Sequence, residues 1–431
     1  MKILVLADNF VPEIAATSFR VRDHARYWIQ QGHEVTVVTC VPNWPHGKVF
    51  PGYENRLYQE EWIDGIRVIR LWSYMAANKG FLARSLDYVS YLISATVLCG
   101  RYPDFDVVLA TSPQFFTAVA GWSVATLRRR PWVFEVRDLW PATIQAVGMS
   151  RGVVLRMLEQ LELWLYRRAR RVIALTDSFK RNLVGRGIDA AKIDVVTNGV
   201  DLESFGFDPA KVDRDARRRL GIPSEAFLAG YIGTTGMCHH LETLVDAAAL
   251  CRQRHDVRFL IMGEGAEREA LEARALRHGL TNLHFADRVP HEQVPDYVAA
   301  LDLAIIHLRP DPLFRSVIPS KLFEFMAMGV PVLLAVEGES ARVVSQAGCG
   351  ICIAPGDPEA IATAVKNLAT DRAALDGMGR RGRQVVAEKY SRPVKADAAL
   401  CSLEMAAGRK RQKGYVDELR ISRSVPNRKA A

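Results

Sequence analysis

The sequence predicts an α/β protein with two doubly wound domains of parallel sheet that face each other across a cleft. The chain has 431 residues, which is enough for two or three domains of ordinary size. Short apolar, β-branched segments alternate along it with longer helical patterns, as is typical of parallel sheets covered on both faces. A turn-rich stretch, "NGVDLESFGFDPA", begins at Asn198 and separates these segments into two sets of similar size.

Each set contains enough strands for one sheet. In chain order the predicted strands are KILVLA, HEVTVVT, IRVIRL, DVVLATS, WVFEV, RVIALT and IDVVTN, then FLAGYIG, RFLIMG, LHFA, LAIIHL, VPVLLAV and GICIAP. A single sheet of all thirteen would be unusually wide, so we expect one domain over residues 1–197 and a second over 198–390. A helix at 391–407 is expected to return toward the first domain, and 408–431 to form a basic flexible tail.

Positive charge is concentrated in that tail. The whole chain has a formal charge of +9, and residues 408–431 contain eight Lys or Arg against two acids. A basic tail on a nearly neutral body predicts attraction to an anionic membrane surface. The sequence contains no nucleic-acid-binding motif, so we expect no nucleic-acid partner.

Cysteine usage and two apolar segments indicate the compartment. The seven cysteines are scattered, and Cys349 and Cys352 form a C-x-x-C that we interpret as core packing rather than a metal or redox site. "MKILVLADNF" predicts a strand rather than a signal peptide. "FLARSLDYVSYLISATVLC", from Phe81, is too short to span a bilayer; it is either a core helix or a helix that touches the membrane. We expect a cytoplasmic protein associated peripherally with the inner face of the membrane.

Two patterns that look like ligand-binding motifs are set aside. "GMGRRG", Gly377–Gly382, matches a dinucleotide-binding pattern but lies in a charged helical stretch and follows no strand. His239 and His240 are adjacent and would point in different directions on a helix, which does not suit a metal pair. We expect neither a metal nor a cofactor.

The segment "IPSKLFEFMAMGVPVLLA", residues 318–335, places charges within an apolar helix and strand. Ser320 is predicted to cap a helix of about two turns that Gly329 ends. Lys321 and Glu324 lie three residues apart on one face. Phosphate at the helix start and a diol bound by Glu324 would describe a nucleotide, whereas a surface ion pair between the two residues would contribute little.

Together with "GHEVTVVTCVPNWPHGKVFPGY", "FEVRDLWP", "VTNGVDLESF" and "GYIGTTGM", this segment resembles the retaining GT-B glycosyltransferases of the family-4 type. The likeness covers nearly the whole body of the chain. It is strongest to the branch that builds O-antigen, capsule or colanic-acid repeat units, which includes the fucosamine transferases. The resemblance implies two Rossmann-like domains, an N-terminal one on the acceptor side and a C-terminal one that binds the nucleotide-sugar donor.

The resemblance also implies roles for residues of the second domain. Glu324 would hold the donor ribose, and the backbone of Ser320 and Lys321 would cradle the diphosphate. The broader family has a second Glu where this chain has Ser316, so recognition of the donor sugar cannot be transferred. In the Gly-rich loop after the first strand of this domain, the family's Arg and Lys are replaced by Thr234, which follows Gly233, and by His239. We therefore expect Arg315 and Lys321 to neutralise much of the diphosphate charge.

The candidate catalytic residues of the first domain lie in "FEVRDLWP". Many relatives have a His at the position of Arg137, which stays protonated and cannot act as a base. Asp138 or Glu135 remains to accept the proton of the acceptor hydroxyl or to orient the donor. Glu135 and Arg137 could instead form a structural pair, because alternate strand residues share a face.

The expected function is transfer of a sugar, with retention, from a nucleotide diphosphate, taken to be UDP, to a polyprenyl-diphosphate-linked saccharide. Lys321 would assist catalysis by stabilising the departing diphosphate. Two alternatives remain open at this stage: a sugar-nucleotide 2-epimerase on the same fold, and a non-catalytic sugar-nucleotide-binding partner in an assembly complex.

Overall fold

The contacts of the chain divide it into two units, Met1–Asn198 with Arg392–Ala431, and Gly199–Ser391. The computed structural model describes residues 1–75, 81–112, 114–139, 152–206 and 215–409. Most of the predicted basic tail therefore lies outside the described residues. Within the described part, no helix is both long enough and apolar enough to cross a membrane.

The N-terminal unit contains an eight-stranded sheet in the order β3-β4-β2-β1-β5-β6-β7-β8. All neighbouring strands are parallel except β3 and β4. The strands are β1 Lys2–Leu6, β2 Glu34–Cys40, β3 Tyr58–Ile63, β4 Ile66–Leu71, β5 Val107–Thr111, β6 Trp132–Val136, β7 Arg171–Ala174 and β8 Ile193–Val195. The helices are α1 Ala16–Gln30, α2 Phe81–Val97, α3 Phe115–Leu127, α4 Val153–Arg168 and α5 Asp177–Gly185.

Burial explains why these segments form parallel strands. Every residue of β5 and β6 is buried, because helices cover both faces of the sheet centre. The antiparallel edge strand β3 was not predicted. Its residues alternate between partly buried and exposed toward the end of the strand, and Glu60, Glu61 and Trp62 interrupt any apolar run.

The C-terminal unit contains a six-stranded parallel sheet in the order β11-β10-β9-β12-β13-β14. Its strands are β9 Phe227–Ile232, β10 Val257–Met262, β11 Leu283–Ala286, β12 Leu303–His307, β13 Val332–Ala335 and β14 Gly350–Cys352. Its helices are α6 Ala216–Arg219, α7 Glu242–Leu250, α8 Arg268–Arg277, α9 Val294–Ala299, α10 Lys321–Ala327, α11 Glu339–Ala347, α12 Pro358–Leu368 and α13 Arg372–Val385. The strand order reverses between β9 and β12, which is where doubly wound sheets bind ligands.

The last helix, α14 Arg392–Ala406, packs on α1 of the N-terminal unit. The indole Nε1 of Trp28 donates a hydrogen bond of 2.8 Å to the carbonyl of Ala396, and Arg392 forms an ion pair with Asp23. The chain thus leaves the first unit near Asn198 and re-enters it after Ser391. Both sheets are doubly wound α/β sheets, as the sequence predicted.

Candidate functional site

Two glycine-containing loops meet at the carboxyl edge of the C-terminal sheet. The donor loop, residues 233–236, follows β9, and a second loop, residues 263–265, follows β10. The amide of Thr235 donates a 2.9 Å hydrogen bond to the carbonyl of Glu264. A Cβ on Gly263 would lie 2.1 Å from the carbonyl oxygen of Gly233, so this close approach of two backbones requires glycine.

The ammonium group of Lys321 is buried beside the donor loop and has no hydrogen-bond partner among the residues that the structure describes. Its Nζ lies 4.0 Å from the centre of the Tyr231 ring and 2.3 Å from the place that a Cβ on Gly233 would occupy. The Tyr231 hydroxyl donates to the carbonyl of Thr234 at 2.7 Å, which holds the ring against the loop. A cation–π contact of about 1–2 kcal/mol offsets little of the several kcal/mol that desolvating an ammonium costs. The arrangement therefore suits an anion that completes the contacts of Lys321.

This environment shifts two pKa values. Burial lowers the pKa of Lys321 to about 8, and the charge of Glu324 opposes the shift. Burial, followed by the charge of Lys321, lowers the pKa of His239 to about 4. His239 is accordingly neutral at pH 7 and contributes no charge toward an anion, whereas Lys321 is mostly charged.

His307, at the end of β12, holds the short segment that follows the donor loop. It is completely buried, its Nδ1 lies 2.9 Å from the carbonyl oxygen of His239, and its Nε2 accepts the amide of Gly356 at 3.0 Å. Because Nε2 is an acceptor, the proton is assigned to Nδ1, which donates to His239. Burial lowers the pKa of His307 to about 4, in agreement with a neutral ring.

Helix α10 carries Lys321 and Glu324 as expected, with five buried apolar residues on its other faces. Glu324 is partly exposed, one turn after Lys321, and Gly329 ends the helix with φ +72°. Ser320 precedes the helix and is exposed, but its side chain makes no capping hydrogen bond. The expected cap was wrong because the backbone of Ser320 already has helical φ and ψ, which points its hydroxyl away from the first amides.

Arg315 and Ser316 lie in a short 3₁₀ helix that precedes α10. The guanidinium of Arg315 is exposed and forms a 2.7 Å ion pair with Glu337, so its charge is already partly balanced. Ser316 donates to the carbonyl of Leu313 at 2.7 Å. Of the two cations that the sequence assigned to a diphosphate, Arg315 is therefore exposed and ion-paired, whereas the Lys321 ammonium is buried without a hydrogen-bond partner among the described residues.

In the N-terminal unit, Glu135 is paired with Arg20 rather than with Arg137. Nε and Nη2 of Arg20 donate to one oxygen of Glu135 at 3.0 and 2.9 Å, and the Thr111 hydroxyl donates to the other at 2.7 Å. Burial acts to raise the pKa of Glu135, but the nearby positive charges, with Arg20 the largest, outweigh it and hold this pKa at about 2. A carboxylate in this state binds protons weakly and is a poor general base.

Arg137 and Asp138 follow β6 at the carboxyl edge of the same sheet. Nε and Nη1 of Arg137 are buried and donate to no acceptor among the described residues, although the backbone amide of Arg137 donates to the hydroxyl of Ser112 at 2.7 Å. Burial lowers the pKa of Arg137 to about 10, so the group remains a cation at neutral pH. Burial raises the pKa of Asp138, and Arg137 counters part of that increase.

A cluster around Asp8, which the sequence analysis did not single out, lies at the end of β1. Burial raises the pKa of Asp8 to about 8, with contributions from the charges of Asp87 and Glu13. Glu13 is itself buried and accepts the backbone amides of Asn43 and Trp44, both at 2.8 Å. This carboxylate thereby fixes the start of the loop that reads "NWPHGKVFPGY".

The patterns set aside on sequence grounds have structural roles. Gly377–Gly382 lie inside α13, and all seven cysteines are free. Cys349 is buried, as expected of a core residue, whereas Cys352 is exposed. Among the described residues, no group of three or more His, Cys, Asp or Glu side chains could hold a metal ion.

Comparison with protein families assigns both halves of the chain. A glycosyl transferase 4-like domain matches residues 17–199, and a glycosyl transferases group 1 domain matches residues 212–385. A putative colanic acid biosynthesis glycosyl transferase of Escherichia coli is 24% identical over 379 residues, which cover 85% of this chain and 91% of the relative.

Solved structures share the fold at low sequence identity. Sucrose-phosphate synthase from Thermosynechococcus elongatus superposes with a TM-score of 0.74 at 19% identity, covering 94% of this chain and 99% of that one. The Anabaena protein HepE in complex with UDP gives a TM-score of 0.69 at 18% identity, covering 94% and 100%. These similarities establish the GT-B fold, with two Rossmann-like α/β domains, as the sequence predicted.

Replacing Lys321 with Met should stabilise the protein in the absence of ligand. The substitution keeps the apolar stem and removes a buried charge, so the free energy of unfolding at pH 7 should rise by roughly 1–3 kcal/mol. Because the pKa of Lys321 falls from 10.5 to about 8 on folding, the difference between variant and wild type should be full below pH 8 and vanish toward pH 10.5.

Urea unfolding across this pH range measures the effect, with the exposed Lys389 replaced by Met as the control. Equal free energies of unfolding for wild type and Lys321→Met at pH 7 would contradict this prediction and show that burial of the ammonium costs no stability.

Proposed function

Because the chain belongs to the glycosyltransferases that join a glycosyl transferase 4-like domain to a group 1 domain, we propose that it transfers a sugar with retention from a UDP-sugar to a polyprenyl-diphosphate-linked saccharide. The observation that carries the proposal is the buried Lys321 ammonium beside the donor loop, which lacks a hydrogen-bond partner in the described part of the chain. The name of the E. coli relative supports a role in the biosynthesis of a cell-surface polysaccharide such as O-antigen or capsule.

The donor binds the C-terminal unit through its nucleotide. We assign the diphosphate to the position beside the Lys321 ammonium and the donor loop, with further contacts from the backbone at Ser320 and Lys321. Glu324, one helical turn from Lys321, accepts hydrogen bonds from the two ribose hydroxyls. The UDP in the Anabaena structure supports uridine as the nucleoside of the donor. Thr234, His239 and Ser316 line the donor without adding charge.

Charge develops on the diphosphate as the bond to the sugar breaks. Lys321 stabilises that charge more in the transition state than in the ground state, because the ammonium is held in a poorly solvated position before the reaction begins. Arg315 assists from the surface, with Glu337 limiting its contribution. The mechanism assigned here uses fixed side-chain charge and requires no metal ion.

The acceptor binds the N-terminal unit. The buried Nε and Nη1 donors of Arg137 suit an anionic group, and the diphosphate of a lipid-linked saccharide supplies one. Asp138 is the proposed base for the acceptor hydroxyl, since burial raises its pKa and so strengthens its basicity. Glu135 has a structural role in this proposal: it binds Arg20 and takes no part in proton transfer.

Association with an anionic membrane surface would bring the enzyme to such an acceptor. Leu86, Ile93 and Val97 are exposed on α2 at spacings of seven and four residues, which places them along one side of the helix. An exposed apolar stripe of this kind is typical of helices that lie in a membrane interface. The basic tail after Ala407 would supply the electrostatic half of the attachment.

Glu324→Ala should weaken UDP binding by roughly 10–100-fold, the value of hydrogen bonds to a charged group. The fold should be retained, because the side chain is partly exposed at a helix surface. Calorimetric titration with UDP, and with GDP for nucleotide preference, measures the change; the exposed Glu292→Ala serves as the control. Unchanged UDP affinity in a folded Glu324→Ala protein would contradict the ribose assignment.

Asp138→Asn should lower the rate of transfer by roughly 10²–10⁴-fold while UDP affinity stays within about twofold. Glu135→Gln provides the contrast: it leaves Arg20 without its carboxylate and should reduce stability by about 3–5 kcal/mol. Rates come from a labelled UDP-sugar with and without lipid-linked acceptor, and the anomeric configuration of the product tests retention. Full transferase activity in Asp138→Asn would assign the base to another group, and turnover independent of acceptor would favour an epimerase.

Two variants should weaken binding to vesicles that contain anionic phospholipid, each for its own reason. Ile93→Ser/Val97→Ser removes part of the exposed apolar stripe, whereas truncation after Ala407 removes the tail charge and should lose more binding at low salt. Leu250→Ser/Leu276→Ser changes two exposed apolar residues elsewhere and is the control. Vesicle sedimentation equal to that of the wild type in both variants would refute the membrane proposal.

A further inference from the structure

A basic groove lies at the amino-terminal edge of the N-terminal sheet. The volume of this open groove is about 630 Å³. It is formed where α3 and α4 end and where β6, β7 and β8 begin. Its cationic residues are Arg129, Arg130, Arg167, Arg168, Arg170 and Lys192. Trp122 and Trp132 contribute indole surface to the same lining.

The charge of this groove is poorly compensated within the protein. Asp189 is the one acid among the described residues that line it, and its carboxylate accepts the amide of Ala191 at 2.9 Å. In the described part of the chain, none of the six cations forms an ion pair with a carboxylate. Burial lowers the pKa of Lys192; the charge of Asp189 opposes this shift, and the charge of Arg170 adds to it. Six like charges around one concavity repel one another unless an anion lies between them.

The groove is separate from the site assigned to sugar transfer. Glu135, Arg137 and Asp138 lie at the carboxyl end of β6, whereas the groove begins at Trp132, the first residue of that strand. A strand of five residues spans roughly 15 Å at about 3.3 Å per residue. An acceptor bound at Arg137 would not occupy the groove.

We propose that this groove is a binding site for a small ligand with two or more phosphate groups. Arginine side chains bind phosphate through several N–H donors at once, and five of the six cations are arginines. The volume of this open groove, about 630 Å³, falls within the roughly 300–1,000 Å³ of small-molecule sites. Lys192 is half-buried within the groove. A small ligand that enters the groove can contact its ammonium, whereas a flat membrane surface contacts it less well. The inference does not depend on the proposed transfer reaction.

Titration calorimetry with inorganic tripolyphosphate tests the site, with UDP present at saturation to occupy the donor site. Wild type should bind about one equivalent, and Arg167→Gln/Arg170→Gln should bind at least tenfold more weakly. The control Arg26→Gln/Arg252→Gln removes the same total charge from two other exposed positions and should bind as the wild type does. A loss of equal size in both double variants, or loss of all binding on addition of UDP, would overturn the proposal.

Thermal unfolding supplies a second readout. Without ligand at low salt, Arg167→Gln/Arg170→Gln should unfold at a temperature roughly 1–4 °C higher than wild type, since repulsion is relieved. Tripolyphosphate should raise the unfolding temperature of the wild type more than that of this variant. Tight binding to phosphatidylglycerol vesicles that depends on Arg167 and Arg170 and that tripolyphosphate does not displace would instead assign the surface to the membrane and refute a small-ligand site.

Discussion

The charge of Lys321 is the constraint on which the C-terminal site depends. Its Nζ is buried against the Tyr231 ring and the donor loop, with no hydrogen-bond acceptor in the described structure. A flexible lysine could reach water if its surroundings allowed it, so the packing of α10 and the donor loop holds the ammonium in place. In the proposed function this poorly solvated cation binds an anionic ligand, and fixed charge of this kind lowers the energy of a transition state.

Several neighbouring features follow from that constraint. Gly233 leaves the space that the ammonium occupies, and Gly263 lets the second loop pack against the donor loop. His307 joins the carbonyl of His239 to the amide of Gly356 and so fixes the segment that follows the donor loop. His239 stays neutral because burial, followed by the charge of Lys321, lowers its pKa. The apolar side of α10 anchors the lysine to the core of the unit.

The N-terminal unit separates its two carboxylates by environment. Both carboxylate oxygens of Glu135 accept hydrogen bonds, from Arg20 and Thr111, and the pKa of Glu135 is lowered. The pKa of Asp138 is raised. Pairs of acids whose environments move their pKa values apart are typical of sites that divide structural and chemical roles. The sequence alone does not show which of the two carboxylates is the base. Arg20 lies 115 residues from Glu135, and no local pattern connects them.

The sequence predicted the architecture better than the site. Thirteen of the fourteen strands were recognisable as apolar runs; β3 was missed because an edge strand with one solvated face lacks such a run. Lys321 and Glu324 were found through their unusual position in an apolar helix and through resemblance. Tyr231 and His307 were not, because both are buried in strands where aromatic and apolar residues are expected. Their roles depend on contacts between segments that are distant in the chain.

Proton uptake on UDP binding tests the central claim most directly. A diphosphate next to Lys321 should raise its pKa from about 8 toward or above the ordinary 10.5, so binding at pH 8.5 should take up more than half a proton per UDP. Calorimetry in buffers of different ionisation enthalpy measures this number, and Lys321→Met should abolish the uptake. No proton uptake by the wild type at pH 8.5, or equal uptake by Lys321→Met, would contradict the assignment of Lys321 as the buried cation that binds the donor diphosphate.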